Sequence, residues 1–451
     1  MYSPSLSALR AESRLSWKKT VQEAISVVLL IGLVPLVLDA KEPDSRGSLP
    51  GQIIRDPEHS QWLMRKDGKH LFICGPGDPE NFLYLGNRRP DGTRDGNQHE
   101  LIQKLVQYGG NCIYLQTIRG YDKNGDGRKD GGGDGAANEN PFIDGDFRKG
   151  ANPVVLDQWE DWFTEMDEAG ILIYLFIYDD GDAPWPYRPG QVDPGERKYV
   201  ETIVNRFKHH RNLIWIVGEE HDDIDYVNDI ARIISEADEY DHLLGNHHNS
   251  SEEFKTWRDD SVMNHHALQC ARKTNEVHAT ALYARSAGEA ASKSGHGFMT
   301  IYSETTDSEG NDLDDVRRYN WNIAMAGVMP MRLGMKIFDT PEEVLQSCRI
   351  LQEFFESTDF YTMANHDELA FEDTKYVLAD PGRSYIAYAE NSSNKIGLQE
   401  LSAGEYELTW LDCVTGQTVT QKNVKVSSGN NSWKVPKNIG SQVALWIRKA
   451  R

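Results

Sequence analysis

From about residue 70 onward the chain alternates short apolar, β-branched runs with stretches whose apolar residues recur at helical spacing. Such an alternation does not suit a helical bundle or an antiparallel sheet; it specifies parallel strands covered by helices. The strand-like runs are His70–Cys74, Asn111–Gln116, Ile171–Tyr178, Leu213–Val217, Leu243–Asn246, Ser261–Asn264, Phe298–Tyr302 and Val328–Leu333. Helical patterns occupy His99–Tyr108, Leu156–Ala169, Glu196–His209, Ile224–Ala237, Thr274–Ser292, Leu313–Ala326 and Pro341–Phe355. Eight strands with seven or eight helices predict an α/β fold, a (β/α)8 TIM barrel. Ile171–Tyr178 is apolar throughout, as a strand buried on both faces requires.

Past residue 362 the helical period disappears. Lys375–Leu378, Ser384–Glu390, Tyr406–Leu411, Gln417–Val426 and Gln442–Ile447 read as strands, separated by turn signals at 380–382 and 428–431. A small β-sandwich is expected there, packed on the barrel because no low-complexity linker separates the two. At the other end, Lys18 and Lys19 precede the apolar run Ala24–Leu38, which has the length of a signal h-region and is short for a spanning helix. The expected organisation is therefore a signal peptide or N-terminal membrane anchor over 1–40, a catalytic barrel over 41–361 and a sandwich over 362–451. Export follows from it: a secreted or periplasmic protein, anchored to the membrane if the segment is not cleaved.

The net charge of −22 in 451 residues excludes nucleic acid as a natural partner and disfavours anionic polysaccharides, leaving neutral ligands. Cys74, Cys112, Cys270, Cys348 and Cys413 have neither zinc-ligand spacing nor disulfide-scaffold density. Cys74, Cys112 and Cys270, inside strand-like apolar runs, read as small buried apolar residues.

In a (β/α)8 barrel the reactive groups follow the C-terminal ends of strands. The fourth run continues Leu-Ile-Trp-Ile-Val-Gly-Glu-Glu-His-Asp, which puts Glu219 and Glu220 at the mouth, and the seventh ends Thr-Ile-Tyr-Ser-Glu, which adds Glu304. Two carboxyl groups flanking one bond are what glycoside cleavage needs: one protonates the leaving oxygen, the other attacks or activates water. A gap of about 5–5.5 Å means retention through a covalent intermediate, and about 6.5–9.5 Å means inversion.

Glutamates after strands four and seven resemble those of the large superfamily of retaining glycosidases. Asp-Gly-Lys-His-Leu-Phe-Ile-Cys-Gly (67–75), Asn-Pro (152–153), Ile-Trp-Ile-Val-Gly-Glu-Glu (214–220), Tyr-Asn-Trp-Asn-Ile-Ala-Met-Ala-Gly (319–327) and Tyr-Glu-Leu-Thr-Trp-Leu-Asp-x-x-Thr-Gly (406–416) are similar to apiosidase-like glycoside hydrolases, whose C-terminal sandwich carries a collagen-binding label. The resemblance, over about residues 53 to 451, implies Glu220 as acid/base and Glu304 as nucleophile. This sequence departs at Glu219, where the superfamily has an asparagine contacting the sugar 2-hydroxyl. The departure leaves open which of Glu219 and Glu220 is the acid, and allows a catalytically silent carbohydrate-binding barrel as the alternative.

Other residues after strand-like runs are candidates for contact with an oligo- or polysaccharide: Asp179, Asp180, Glu219, His221, His247, His248 and, in the loop after the third run, Trp185. Trp185 and Tyr187, flanked by prolines, read equally well as loop anchors. The imidazoles of His221, His247, His248, His265 and His266, with Asp222 and Asp223, are dense enough for a metal-dependent hydrolase to be a further alternative, although no HExxH spacing supports it. No cofactor is expected for catalysis. A structural calcium is expected at Asp122, Asn124, Asp126 and Asp130, where oxygens alternate and Gly127 holds the sixth position of an EF-hand-type loop that lacks the twelfth-position glutamate. Trp410, Trp433 and Trp446 read as sandwich core rather than carbohydrate platforms.

Overall fold

The computed structural model describes residues 47–77, 81–181, 183–221, 223–249, 258, 260–270, 273–293, 299–305, 312–332 and 335–450. The expected signal or anchor segment, Asp222 and the side chain of His248 lie outside the described residues. Three short strands, β1 (Ile53–Arg55), β2 (Leu63–Arg65) and β3 (His70–Leu71), pair antiparallel ahead of the barrel.

Eight strands then build one parallel sheet in ring order: β4 (Gly75–Pro76), β5 (Cys112–Gln116), β6 (Leu172–Tyr178), β7 (Leu213–Gly218), β8 (Leu244–Asn249), β9 (His265–Cys270), β10 (Met299–Thr305) and β11 (Met329–Arg332). Between β4 and β5 the ring is joined by Asn111 N donating to Cys74 O (3.2 Å) and Tyr114 N to Gly77 O (2.9 Å). Helices α1 (Gln98–Tyr108), α2 (Pro153–Ala169), α3 (Pro194–Phe207), α4 (Ile224–Ala237), α5 (Val277–Lys293), α6 (Leu313–Met325) and α7 (Glu342–Glu356) follow the strands.

The local reasons are visible in α2: the Asn152 side chain caps Val154 N, Pro153 opens the helix with φ preset, and Gly170 ends it in the left-handed region (φ 75°). Alternation by two divides the strand side chains. Tyr114, Tyr174, Phe176, Ile214, Ile216 and Ile301 belong to the cluster inside the ring, while Ile113, Ile173, Leu175 and Trp215 pack outward with Trp159, Ile203 and Phe207 of the helices. All seven residues of β6 are buried, as its uninterrupted apolar run demands.

Two expected strands are displaced. Of His70–Cys74, only His70–Leu71 forms a strand, paired with β2, and the barrel strand Gly75–Pro76 follows just beyond the run. The sixth strand begins at His265, where the apolar run Ser261–Asn264 has just ended. His265 tolerates the interior because its ring is matched by Met299 O (2.9 Å) and the Tyr174 hydroxyl; burial pushes its pKa down to about 3, so it is neutral there.

The C-terminal strands are β12 (Ala364–Asn365), β13 (Ala370–Glu372), β14 (Tyr376–Asp380), β15 (Ser384–Ala389), β16 (Lys395–Leu401), β17 (Gly404–Asp412), β18 (Thr418–Val426), β19 (Gly429–Lys434) and β20 (Val443–Lys449). They form two antiparallel sheets, β12-β14-β15-β20-β17-β18 and β13-β16-β19, around Leu398, Leu408, Trp410 and Leu445. Part of the expected turn at 428–431 is thus strand β19. The opposite face of the larger sheet meets the barrel: Tyr388 stacks on Trp321 of α6 with centroids 5.0 Å apart.

Candidate active site

The mouth is shaped by the turn after β7 and by an irregularity in β10. Glu219 N donates to Tyr178 O (3.2 Å), which holds the first residue after β7 against the end of β6; its side chain is 4% exposed. Glu220 is exposed and sits at φ +45°, a left-handed turn that directs consecutive glutamates to different surroundings. Gly218 is required beneath them, since a Cβ there would lie 2.5 Å from the His221 ring.

In β10, Met299 and Ile301 face inward, so strict alternation would turn Glu304 outward. A bulge at Ser303 resets the register: Tyr302 pairs with Leu268 but Glu304 with Gln269. Glu304 then accepts from Gln269 Nε2 at 2.7 Å and lies 3.4 Å from His247 Nε2. One ligand atom each of Glu219, His247 and Glu304 falls within a 4.8 Å group, so β7, β8 and β10 converge on one point.

A second carboxylate group adjoins the first. Asp179, Asp180 and Glu219 also have atoms within 4.8 Å of one another. Gln116 Nε2 bridges Asp179 Oδ1 (3.0 Å) and Glu219; Asp134 N donates to Asp179 Oδ2 (2.9 Å), and Arg119 lies 3.7 Å from that oxygen. Asp180 is half-buried. Its pKa is pushed up to about 7 by burial first, then by the negative charges of Asp179, Asp134, Glu220 and Glu304.

Among the expected rim histidines, His221 is buried and stacked on Tyr226 (5.0 Å), and His247 is buried against the Tyr114 and Phe176 rings. His265 and His266 stand at the entry end of β9, away from the rim, because the apolar run Ser261–Asn264 leads into that strand and does not form it. Trp185 is corrected from sugar platform to anchor: 7% exposed, it packs edge-on against Phe142 and Phe147 and beside Tyr199. Tyr187 is tied down by Asp229 (3.0 Å).

In the loop 122–130, the Asp122 carboxylate accepts from the amides of Asn124, Gly125, Asp126 and Gly127, with Gly127 at φ +79°. Asn124 Nδ2 reaches Asp130 Oδ1 at 3.4 Å. Asp122, Asp126 and Asp130 are not among the groups whose ligand atoms lie within 4.8 Å of one another among the described residues.

Sequence reasoning missed Gln116, Arg119 and Gln269. Gln116 is the last residue of a correctly placed strand, so the rule that selects Glu219 would select it too. Gln269 is hidden by the displacement of the sixth strand.

Residues 60–338 match the model of the apiosidase-like catalytic domain. A search of curated proteins finds no match. Among solved structures, a glycoside hydrolase family 5 protein from Bacteroides vulgatus superposes with a TM-score of 0.64 at 14% identity, over 90% of this chain and 95% of its own. Another, described as a glycoside hydrolase, gives 0.60 at 14% identity over 90% and 99%. These likenesses establish the shared fold, and the family match, spanning more than half of the chain, establishes the kinship. The chain belongs to the apiosidase-like family of glycosidases.

Proposed function

We propose that the protein hydrolyses O-glycosidic bonds with retention of configuration, Glu304 acting as nucleophile and Glu220 as acid/base, on a neutral oligo- or polysaccharide. The observation that carries this reading is the meeting of carboxylates from β7 and β10: oxygens of Glu219 and Glu304 within 4.8 Å, beside the exposed Glu220. A sugar bound against the β7 turn would have its anomeric carbon in reach of Glu304; retention is what the family resemblance implies for the pair Glu220 and Glu304, and it requires their carboxyl groups to stand about 5–5.5 Å apart.

Glu304, held by Gln269 and His247, attacks that carbon while Glu220 gives its proton to the departing oxygen. Water, losing a proton to Glu220, then displaces Glu304 from the glycosyl ester. Glu219 is buried and fixed by Gln116, which suits hydroxyl contact better than proton delivery. Of Asp179, Asp180 and His221, half-buried Asp180 is the one that offers accessible polar surface; Asp179 and His221 are buried. The same carboxylates, with the net charge of −22, repel anionic sugars.

The test is a panel of aryl glycosides and neutral polysaccharides with Glu219→Gln, Glu220→Gln and Glu304→Gln alongside the parent. Glu304→Gln loses turnover on every substrate; Glu220→Gln loses it on poor leaving groups, while nitrophenyl groups, which depart without a proton, are released in a first burst that then stalls at the glycosyl ester until an added nucleophile such as azide, which needs no base, restores turnover. That second pattern in Glu219→Gln instead would exchange the two roles, and binding without turnover in the parent would mean a silent barrel.

A second reading rests on the same convergence, because Glu219, His247 and Glu304 are of the type and spacing to hold a divalent cation for metal-assisted hydrolysis. Turnover that survives chelation rejects it. Calcium at the 122–130 loop belongs to the proposed reading as a structural ion; Gly127 in the left-handed region and the alternating oxygens support it.

A further inference from the structure

Opposite the mouth, near the entry ends of β10 and β11, the middle of α5 buries a charge that its surroundings only partly answer. Arg285 is 7% exposed. Its Nε donates to Glu289 Oε1 (3.2 Å), whose own side chain is 48% exposed, and Nη2 approaches Met363 O (3.5 Å) where the chain leaves the barrel for the sandwich. Nη1 is buried and has no hydrogen-bond partner among the described residues. The Thr300 hydroxyl, in a residue 6% exposed, is in the same condition. Both residues line one cavity together with Gly327 and Val328, and it reaches outward past Gln61 and Glu289.

The space has a definite size and sign. It is narrow, with room for one small occupant and far too little for a sugar or a phosphate. Gly327, at φ +81°, opens the floor: a Cβ there would lie 1.8 Å from Arg285 Nη1. Burial pushes the guanidinium pKa down, and the Glu289 carboxylate opposes this. A guanidinium has donors and no acceptor, and a hydroxyl can add one more donor, so the matching occupant is an acceptor, and one that carries negative charge makes the stronger bond to the guanidinium.

We propose that this cavity binds a single monatomic anion, chloride under ordinary conditions, held between Arg285 Nη1 and Thr300 Oγ1. The ion completes the coordination of a side chain that joins α5 to the start of the sandwich, and its role is structural.

The test is thermal unfolding of the full chain at constant ionic strength while sodium gluconate is exchanged for sodium chloride or bromide. The proposal expects a saturable rise of roughly 2 °C in Tm with either halide and none with gluconate, which is too large for the cavity. Thr300→Val, which keeps the shape and removes the hydroxyl, weakens the halide midpoint several-fold, and Arg285→Met abolishes the response. Equal curves for gluconate and halide would mean a water or nothing at the site and overturn the proposal. So would a halide response that Thr300→Val leaves unchanged, an outcome readable even where Arg285→Met does not fold.

Discussion

Glu196, in the first turn of α3, links the strand that precedes Asp179 to the helix that follows Glu220. It is fully buried, and its Oε1 accepts hydroxyls from Tyr178 of β6 (3.0 Å) and Tyr226 of α4 (2.6 Å). Burial pushes its pKa up to about 7, against the opposing effect of those two hydrogen bonds. A carboxyl raised by folding binds its proton more tightly in the folded chain. Its contribution is therefore fully present below the unfolded value of 4.5 and is lost as pH rises through about 7. At about 1.4 kcal/mol per pH unit, that window is worth roughly 3 kcal/mol. Glu196→Gln keeps an acceptor for both tyrosines and cannot ionise. Urea unfolding at about pH 4 and about pH 8 should show the parent losing roughly 3 kcal/mol more than the variant over the interval. Parallel losses in the two proteins would refute the reasoning, since they would mean that Glu196 is ionised or solvated in the folded state.

Other substitutions probe the mouth directly. Gly218→Ala forces a Cβ to within 2.5 Å of the His221 ring, which Tyr226 backs, so the Glu219–Glu220 turn must shift; kcat should fall about tenfold to a hundredfold while circular dichroism is unchanged. Gln269→Leu removes the 2.7 Å donor to Glu304, a charge-assisted bond worth about 1.5–3 kcal/mol, and should cost about tenfold to a hundredfold in kcat with a smaller change in KM. Calcium at about millimolar concentration should raise Tm by a few degrees, roughly 2–4 °C, an effect that Asp122→Ala abolishes without altering turnover.

Legibility in the sequence tracks the strength of the physical signal. Leu172–Tyr178 and Leu213–Gly218 must be apolar on both faces, so their runs stand out, and the glutamates after β7 come with them. Periodicity fails where a polar group is satisfied inside the barrel: His265, matched by Tyr174 and Met299 O, looks like the end of a strand and is its beginning. The inward aim of Glu304 depends on the bulge at Ser303, which leaves no mark in hydropathy. Neighbouring glutamates with opposite exposure are equally unreadable, because the positive φ of Glu220 arises from a non-glycine residue. Trp185 shows the limit of composition: a loop tryptophan between prolines suits a sugar platform or an anchor, and only the covering rings of Phe142, Phe147 and Tyr199 decide.

The central claim, nucleophilic attack by Glu304, is tested most directly by trapping. A glycosyl fluoride of the sugar found in the panel, carrying fluorine at C2 to slow hydrolysis of the ester, is incubated with the protein, and intact mass and peptide mapping are recorded. The account predicts one added glycosyl unit, located on the peptide that contains Glu304 and absent in Glu304→Gln. An adduct on Glu219 or Glu220, or steady turnover of the unfluorinated substrate with inverted anomeric configuration and no adduct, would contradict it.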